Sequence, residues 1–306
     1  MAVSPAGPPQ GTESVPSGGR ERGGTLRTRV ITALVLIPAV LAALFLLPPK
    51  AWGFVMLAII LVAANEWGRL VALPRWLGNA FMLVILIVGA QLLLSPAAGF
   101  ERGWPDRIVY VVCGVASLFW IVVAPPWVVS RWPTQAKVPM TIVGVVVLVG
   151  AWMALVQMQA QSPWLVLAAM AIVWIADTAA YFTGRKLGRH KLAPVVSPGK
   201  SWEGVYGAWV AVAIYAAVLV IFAGHAGYRG NVTPLAIALW IAFVVALASV
   251  SVVGDLFESL LKRHAGVKDS GSLLPGHGGV LDRTDALLAA MPIAALAAQL
   301  VLDRNT

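Results

Sequence analysis

VITALVLIPAVLAALFLL, residues 30–47, is an unbroken apolar run that sets the class of this fold. At a rise of about 1.5 Å per residue, a helix of this length spans about 27 Å, close to the thickness of the hydrocarbon core of a bilayer. Arg27 and Arg29 precede the run, and a long polar leader precedes them. The run therefore predicts an uncleaved membrane anchor and not a signal peptide.

Similar runs recur along the chain and predict an all-α polytopic membrane protein. Of the 306 residues, 59% are hydrophobic and 11% are charged, whereas a soluble domain has about 25% charged residues. We expect a disordered cytoplasmic tail at residues 1–26, rich in Pro, Gly, Ser and Arg, and one membrane domain over residues 27–306. About nine transmembrane helices are predicted, near residues 30–47, 51–68, 77–94, 108–129, 138–157, 163–183, 204–223, 234–257 and 286–302.

Basic residues gather in alternate loops of this nine-span arrangement. With the N-terminus in the cytoplasm, 17 of the 22 Lys and Arg residues fall on the inner side, as the positive-inside rule requires. The C-terminus is then outside, and the polar C-terminal loops face the cytoplasm of a bacterial plasma membrane. The net charge of +9 lies in short loops, where membrane lipids or a phosphate substrate explain it better than nucleic acid does.

Acidic residues concentrate beside the last two inner loops. Carboxylates at a membrane edge are costly unless they are paired or bind a metal, so each is a candidate for function. Mg²⁺ prefers carboxylate oxygens and leaves its other positions to water and substrate phosphates. Seven of the 13 acidic residues lie in this region: Asp177, Glu203, Asp255, Glu258, Asp269, Asp282 and Asp285.

The densest polar segment is GDLFESLLKRHAGVKDSGSLLPGHGGVLDRTD, residues 254–285. Asp282 and Asp285 share one face if DRTDAL opens the last helix, near its positive N-terminal end. The segment also supplies charge for phosphate oxygens and glycines that let backbone amides approach a ligand; these residues are Lys262, Arg263, Lys268, Gly276, Gly278 and Gly279. A second interpretation stays open, in which a basic loop contacts anionic lipid and Glu258 pairs with Lys262 one turn later.

The string SLLKRHAGVKDSGSLLPGHGGVLDRTD, residues 259–285, resembles the signature of the phosphatidate cytidylyltransferases, also called CDP-diacylglycerol synthases. Every position of that pattern is filled: Ser, LysArg, LysAsp, ProGlyHisGlyGly, and AspArg followed by a residue and Asp. A second block, ADTAAYFTGRKLGRHKLAPVVSPGKSWEG at residues 176–204, resembles the polar loop of the same family.

This resemblance implies transfer of a cytidylyl group from CTP to phosphatidic acid, giving CDP-diacylglycerol and pyrophosphate in phospholipid biosynthesis. It implies Mg²⁺ as cofactor, leaves a second divalent or monovalent cation open, and favours a homodimer. The metal ligands would be Asp177, Asp255, Asp282 and Asp285, and the catalytic residues Asp255, Asp282, Asp285, Lys262 and Arg263. Substrate contacts would come from Lys200, Ser201, Ser259, Lys268, His277, Gly278, Gly279 and Arg283.

Several lesser motifs have two interpretations. SPGKS at residues 197–201 is not a Walker A loop, because Pro194 replaces the required glycine; it predicts a polar turn with Ser201 as N-cap of the next helix. Asp177 is either a ligand or a residue bonded to Tyr181 one turn later. A local pair of Glu66 and Arg69 is expected rather than a site. Loop solvation is expected for His190, His225 and His264.

Two other protein classes are alternatives to a nucleotidyltransferase: a different membrane phosphotransferase or lipid kinase, and a transporter. The alcohol phosphotransferases that use CDP-lipids carry a DGxxAR pattern, and the sequence has no such string. A transporter needs charges near the middle of several spans, whereas the first five predicted spans carry almost none. A lipid kinase stays open at this level.

Overall fold

The computed structural model describes residues 26–95, 103–225 and 233–303 of the chain. Within these residues the protein is almost entirely α-helical, as predicted. The helices are α1 (Leu26–Leu46), α2 (Pro49–Leu70), α3 (Arg75–Leu94), α4 (Asp106–Leu118), α5 (Ala124–Ser130), α6 (Lys137–Gln161), α7 (Pro163–Leu187), α8 (Trp202–His225), α9 (Pro234–His264) and α10 (Leu281–Asp303). The tail predicted for residues 1–26 lies outside the described residues, except for its last residue.

The helices confirm the prediction of a multi-pass membrane protein. Eight helical segments in the described ranges are long and apolar enough to cross a bilayer, and the apolar helix at Val30–Leu46 is a shorter ninth. One of the eight, Asp106–Ser130, consists of α4 and α5 joined by a π-helical turn at Phe119–Val123. Pro125 and Pro126 follow this turn, and because proline has no N–H to donate, the helical hydrogen-bond ladder is disturbed there.

Hydrogen bonds at one end of the bundle join loops that are distant in sequence. The end of α2 contacts the segment before α10, the loop before α6 contacts the end of α9, and α9 contacts the loop between α7 and α8. At the opposite end, α6 contacts α1, and the start of α4 contacts the end of α10. The loops that carry most of the basic residues therefore lie together at one end.

The core of the bundle is formed around α6, which packs against α2, α4 and α10. Its small residues allow this close approach: a side chain at Gly144 would collide with Trp67, and one at Gly150 would collide with Ala116. Trp67 also donates a 3.0 Å hydrogen bond to the carbonyl of Met140 in α6. These contacts fix α2 against the rest of the bundle and so define the position of its polar C-terminal end.

Two local features differ from the sequence prediction. Residues 191–201 form a hairpin instead of a simple polar turn, with β1 (Lys191–Ala193) antiparallel to β2 (Ser197–Ser201). In addition, α9 continues to His264 and α10 begins at Leu281, beyond the predicted limits at 257 and 286. Lys262 of the extra turn of α9 pairs with Asp282 of the extra turn of α10, which offsets the cost of placing these two charges there.

Candidate active site

Lys262 connects two carboxylates at the end of the bundle where the basic loops meet. Its Nζ lies 2.5 Å from Glu258, one turn earlier in α9, and 2.7 Å from Asp282 in the first turn of α10. The Glu258–Lys262 pair is the i,i+4 pair that the second interpretation of this segment proposed. The side chain of Asp282 is only 5% exposed. One ammonium group therefore neutralises part of a buried carboxylate pair and joins α9 to α10.

The second carboxylate oxygen of Asp282 organises the glycine-containing loop at residues 266–280. It accepts hydrogen bonds from the backbone N–H of Ser270 at 2.9 Å and of Gly279 at 2.8 Å. The Ser270 hydroxyl lies 3.0 Å from the same oxygen. Asp282 thus bonds to a residue 12 positions earlier in the chain and closes the loop between them. This contact holds Gly278 and Gly279 beside the start of α10.

The glycines of this loop take the positions that their flexibility predicts. Gly276 and Gly278 have φ angles of +76° and +84°, which are accessible to glycine and strained for other residues. His277 lies between them, and its carbonyl accepts a 2.8 Å hydrogen bond from Arg283. Its ring Nδ1 is buried without a hydrogen-bond partner in the described structure. Lys268 is exposed on the same loop.

A second lysine–aspartate pair comes from the α7–α8 hairpin. Lys200 Nζ, in β2, lies 2.6 Å from Asp255 in α9, and Ser259 donates a 3.3 Å hydrogen bond to the other oxygen of Asp255. Arg263 donates to the backbone carbonyl of Val196 at 3.2 Å, which holds the hairpin against α9. The hairpin therefore presents Lys200 to the carboxylates of α9.

Asp177 and Asp285 complete this group of carboxylates. Electrostatic interactions connect Asp255 to Asp177 and to Asp285, and Lys200 interacts with all three. Asp177 is exposed on α7. The Tyr181 hydroxyl, considered above as its partner, accepts from Arg185 instead. The aspartates predicted from the sequence are therefore brought together from α7, α9 and α10.

The donor set suits a magnesium ion that is shared with a substrate. Among the residues that the structure describes, no three Asp, Glu, His or Cys side chains enclose a position for a metal. Mg²⁺ needs only one or two protein carboxylates when substrate phosphates and water fill its other positions. In the described structure, one buried oxygen of Glu258, Oε1, has no hydrogen-bond partner, whereas Oε2 is paired with Lys262. The carboxylates thus fit a metal held jointly with phosphate, and not a closed protein cage.

Ser201 is the N-cap of α8, as the sequence indicates. Its hydroxyl accepts a 3.2 Å hydrogen bond from the backbone N–H of Gly204, and the residue is buried. A Cβ at Gly188 would collide with the same hydroxyl, and a Cβ at Gly184 would lie only 3.0 Å from it. Ser201 consequently fixes the junction between β2 and α8, directly after Lys200.

Two of the three histidines that were expected to be isolated in loops have a side-chain partner in the structure. His190 is not simply solvated, since its Nδ1 lies 2.7 Å from Glu203 and its backbone N–H donates to the same carboxylate. His264 is bonded to Thr134 at 2.8 Å. Both partners are far away in sequence, so no local pattern indicates them. The side chain of His225 lies outside the described residues.

Glu66 is the residue of this region that sequence reasoning missed. Instead of the expected ion pair with Arg69, which is absent from the described structure, its carboxylate bonds to the segment that precedes α10. The signal in the sequence is weak: a single acidic residue near the end of an apolar run, with Asn65 before it and Arg69 three residues after it.

Comparison with known proteins identifies the family. A family model described as the cytidylyltransferase family matches residues 27–301. The chain belongs to the cytidylyltransferase family. It is 39% identical over 277 residues to a protein of Pseudomonas aeruginosa named phosphatidate cytidylyltransferase, covering 88% of this chain and 95% of that protein. Proteins of the same name from Haemophilus influenzae and Thermotoga maritima are 35% identical over 285 residues and 34% identical over 269 residues, covering 87% and 88% of this chain and 96% and 94% of their own lengths.

The residues matched by the cytidylyltransferase family model include the whole site described above. The match extends from the first turn of α1 to the last turn of α10, so it includes the end of α2, the hairpin and the glycine-containing loop. This agrees with the resemblance drawn from residues 176–204 and 259–285 alone.

Proposed function

We propose that the protein is a phosphatidate cytidylyltransferase, which transfers the cytidylyl group of CTP to phosphatidic acid and releases pyrophosphate. Relatives of that name match over nearly their whole length. The observation that carries the proposal is the convergence of two lysine–aspartate pairs, Lys200–Asp255 and Lys262–Asp282, at one end of a membrane bundle. Such a site reaches both a nucleotide in water and a lipid phosphate at the membrane surface.

The reaction needs no protein nucleophile. A phosphate oxygen of phosphatidic acid attacks the α-phosphorus of CTP, an oxygen–phosphorus bond forms, and the bond between the α- and β-phosphates breaks in line with it. The attacking phosphate is already ionised near neutral pH. The protein therefore contributes chiefly by orienting two anions and by opposing their repulsion with positive charge.

Cationic side chains in the cluster would hold the phosphates. Lys200, Lys262 and Arg263 are the proposed phosphate contacts, since each is anchored at the junction of α9 with the hairpin or with α10. The buried ring nitrogen of His277 supports a role in binding phosphate or orienting the loop. Further contacts are proposed for Ser201, Ser259, Lys268, Gly278, Gly279 and Arg283.

Magnesium is proposed as the cofactor. Asp177, Asp255, Asp282 and Asp285 would hold it, and the donor set leaves the identity of any second cation open, divalent or monovalent. When bound, the ion would neutralise developing charge on the phosphate oxygens. Around it, Lys262 and Ser270 keep Asp282 in place, and Lys200 and Ser259 do the same for Asp255.

The orientation and environment of the site are also proposals. The bias of basic residues toward one end supports a cytoplasmic site and a cytoplasmic N-terminus in a bacterial plasma membrane. Membrane lipids would surround the bundle, and no nucleic acid is involved. In a homodimer, the second subunit would shield the polar site from the surrounding lipid.

The test uses CTP labelled at either the α- or the γ-phosphorus, with purified protein, phosphatidic acid and Mg²⁺. The proposal expects label from the α-phosphorus in the lipid product and label from the γ-phosphorus in pyrophosphate. A lipid kinase would transfer the γ-label to lipid instead. Asp282→Asn should abolish the transfer while its size-exclusion profile stays that of the wild type, and absence of α-label in lipid with well-folded wild type would overturn the proposal.

A further inference from the structure

Glu66 is a buried acidic residue whose partners all lie in the C-terminal part of the protein. It stands one turn before the end of α2, and it is 1% exposed. Its partners Ser270, Val280 and Leu281 are 204 to 215 residues further along the chain. A carboxylate that is buried in this way costs free energy unless it is well bonded, so the position needs an explanation.

The carboxylate of Glu66 caps α10. It accepts hydrogen bonds from the backbone N–H of Val280 at 3.1 Å and of Leu281 at 2.8 Å. The first N–H groups of a helix have no partner within the helix, and a nearby side chain usually satisfies them. Here a different helix supplies the acceptor, and its negative charge also faces the positive end of the α10 dipole.

Ser270 connects this cap to Asp282. The Ser270 hydroxyl lies 2.9 Å from Glu66 and 3.0 Å from Asp282, so it bridges the two carboxylates. Side chains are excluded around it: a Cβ at Gly271 would collide with Glu66, and a Cβ at Gly279 would collide with Glu66 and with Ser270. The position of Asp282 is thus set from both sides, by Lys262 and by the Glu66–Ser270 pair.

We propose that Glu66 is a positioning residue of cytidylyl transfer, because it fixes from α2 the axial position and rotation of the start of α10, which carries Asp282 and, one turn later, Asp285. The inference rests on the proposed function for its catalytic part. A displacement of about 1 Å in a positioned group can lower a rate by about 100-fold. Glu66 acts through α10, and it is not assigned a contact with substrate.

Glutamine at position 66 is the sharpest probe. It has nearly the size of glutamate, but one oxygen becomes an NH₂ group. If the remaining oxygen keeps Leu281 and Ser270, the NH₂ group faces the N–H of Val280, and two donors oppose each other. Glu66→Asp keeps the negative charge, but its side chain is shorter by one methylene group, so the carboxylate lies further from the start of α10. Asn65→Gln is the matched control, since Asn65 is the exposed neighbour on the same helix.

The experiment measures kcat, the KM for CTP, the half-saturating Mg²⁺ concentration, and amide hydrogen exchange of the peptide that covers residues 279–285. For Glu66→Gln we expect kcat to fall by about 10- to 100-fold, a several-fold higher requirement for Mg²⁺, and faster exchange at Val280 and Leu281. Glu66→Asp should be intermediate, and Asn65→Gln should match the wild type. The value of kcat is calculated from the concentration of protein in the monodisperse size-exclusion peak. A loss of folded protein is then not counted as a loss of kcat.

A purely structural role gives a different result. Glu66→Gln would then be less thermostable, but its folded fraction would keep kcat and the Mg²⁺ requirement within about twofold of wild type, and this would overturn the proposal. Gly279→Ala provides a second variant that disturbs the same contact from the loop side, and Gly78→Ala, where a Cβ meets no atom within 4 Å, is its control.

The failure of the proposed function and the failure of the Glu66 proposal give different results. If the wild type transfers no cytidylyl group, the proposed function fails. If hydrogen exchange at Val280 and Leu281 is unchanged in Glu66→Gln, Glu66 does not cap α10.

Discussion

Lys262 and Asp282 form a 2.7 Å ion pair that joins α9 to α10 across 20 residues of sequence. The lysine side chain is 14% exposed and the aspartate side chain 5% exposed, so water screens the pair only weakly. Glu258 shares the same ammonium group at 2.5 Å. One lysine therefore compensates two buried carboxylates.

Removal of this lysine should destabilise the protein strongly. In Lys262→Met, the carboxylates of Glu258 and Asp282 face each other without the cation, and breaking a buried pair in this way costs about 3–5 kcal/mol. Thermal unfolding in detergent micelles measures the effect. The double variant Lys262→Met/Glu258→Gln should regain part of the loss, because one of the two repelling charges is removed; an unfolding temperature for Lys262→Met equal to that of wild type would contradict the prediction.

The other lysine should affect substrate binding more than stability. The Lys200–Asp255 pair is more exposed, with side-chain exposures of 22% and 30%, and pairs of that kind contribute at most about 1 kcal/mol. Lys200→Met should therefore keep nearly the unfolding temperature of wild type, while the KM for CTP rises by about tenfold or more, as loss of a charged contact to phosphate predicts. Steady-state kinetics at saturating lipid measure this change.

Lys186→Met is the control for Lys200→Met, because Lys186 is an exposed basic residue in the last turn of α7. It changes the net charge of the same loop by the same amount. Equal effects of the two substitutions on the KM for CTP would show that only the overall charge of the loop matters, and would refute a specific contact of Lys200.

Magnesium should stabilise the protein as well as activate it. Asp255 repels both Asp177 and Asp285, and a cation held between carboxylates relieves that repulsion, so binding to the folded state raises its stability. We expect the unfolding temperature to rise with Mg²⁺ concentration in wild type and much less in Asp255→Asn. Chelation by EDTA should abolish cytidylyl transfer reversibly. Full transfer in EDTA, or equal stabilisation of the two proteins, would contradict the metal assignment.

The spans and the location of the site could be predicted from the sequence because each depends on local composition. A long apolar run predicts a helix in lipid, because a helix satisfies all of its backbone hydrogen bonds within the segment. Clustered carboxylates in such a chain need partners, which marks seven acidic residues as candidates, and the family resemblance selects Asp177, Asp255, Asp282 and Asp285 among them. The structure adds that each of Asp255 and Asp282 is paired with a lysine.

The features that could not be predicted depend on contacts between distant segments. In the sequence, Glu66 resembles any polar residue at the end of an apolar helix, and its three partners are more than 200 residues away. The hairpin at residues 191–201 has strands of three and five residues, too short for a clear alternation of polar and apolar side chains. The His190–Glu203 pair that closes this hairpin depends on the same fold-back.

The orientation of the bundle gives the last prediction, which the single cysteine of the chain makes practical to test. Cys113 is fully buried in α4, so Cys113→Ala provides a background that a maleimide does not label. Lys186→Cys and Lys50→Cys then place exposed thiols at opposite ends of the bundle, in loops predicted to be inner and outer respectively. A membrane-impermeant maleimide should label Lys50→Cys in right-side-out vesicles and Lys186→Cys in inside-out vesicles. The reverse pattern would place the carboxylate cluster on the outer surface, where CTP is absent, and would be incompatible with a cytoplasmic site.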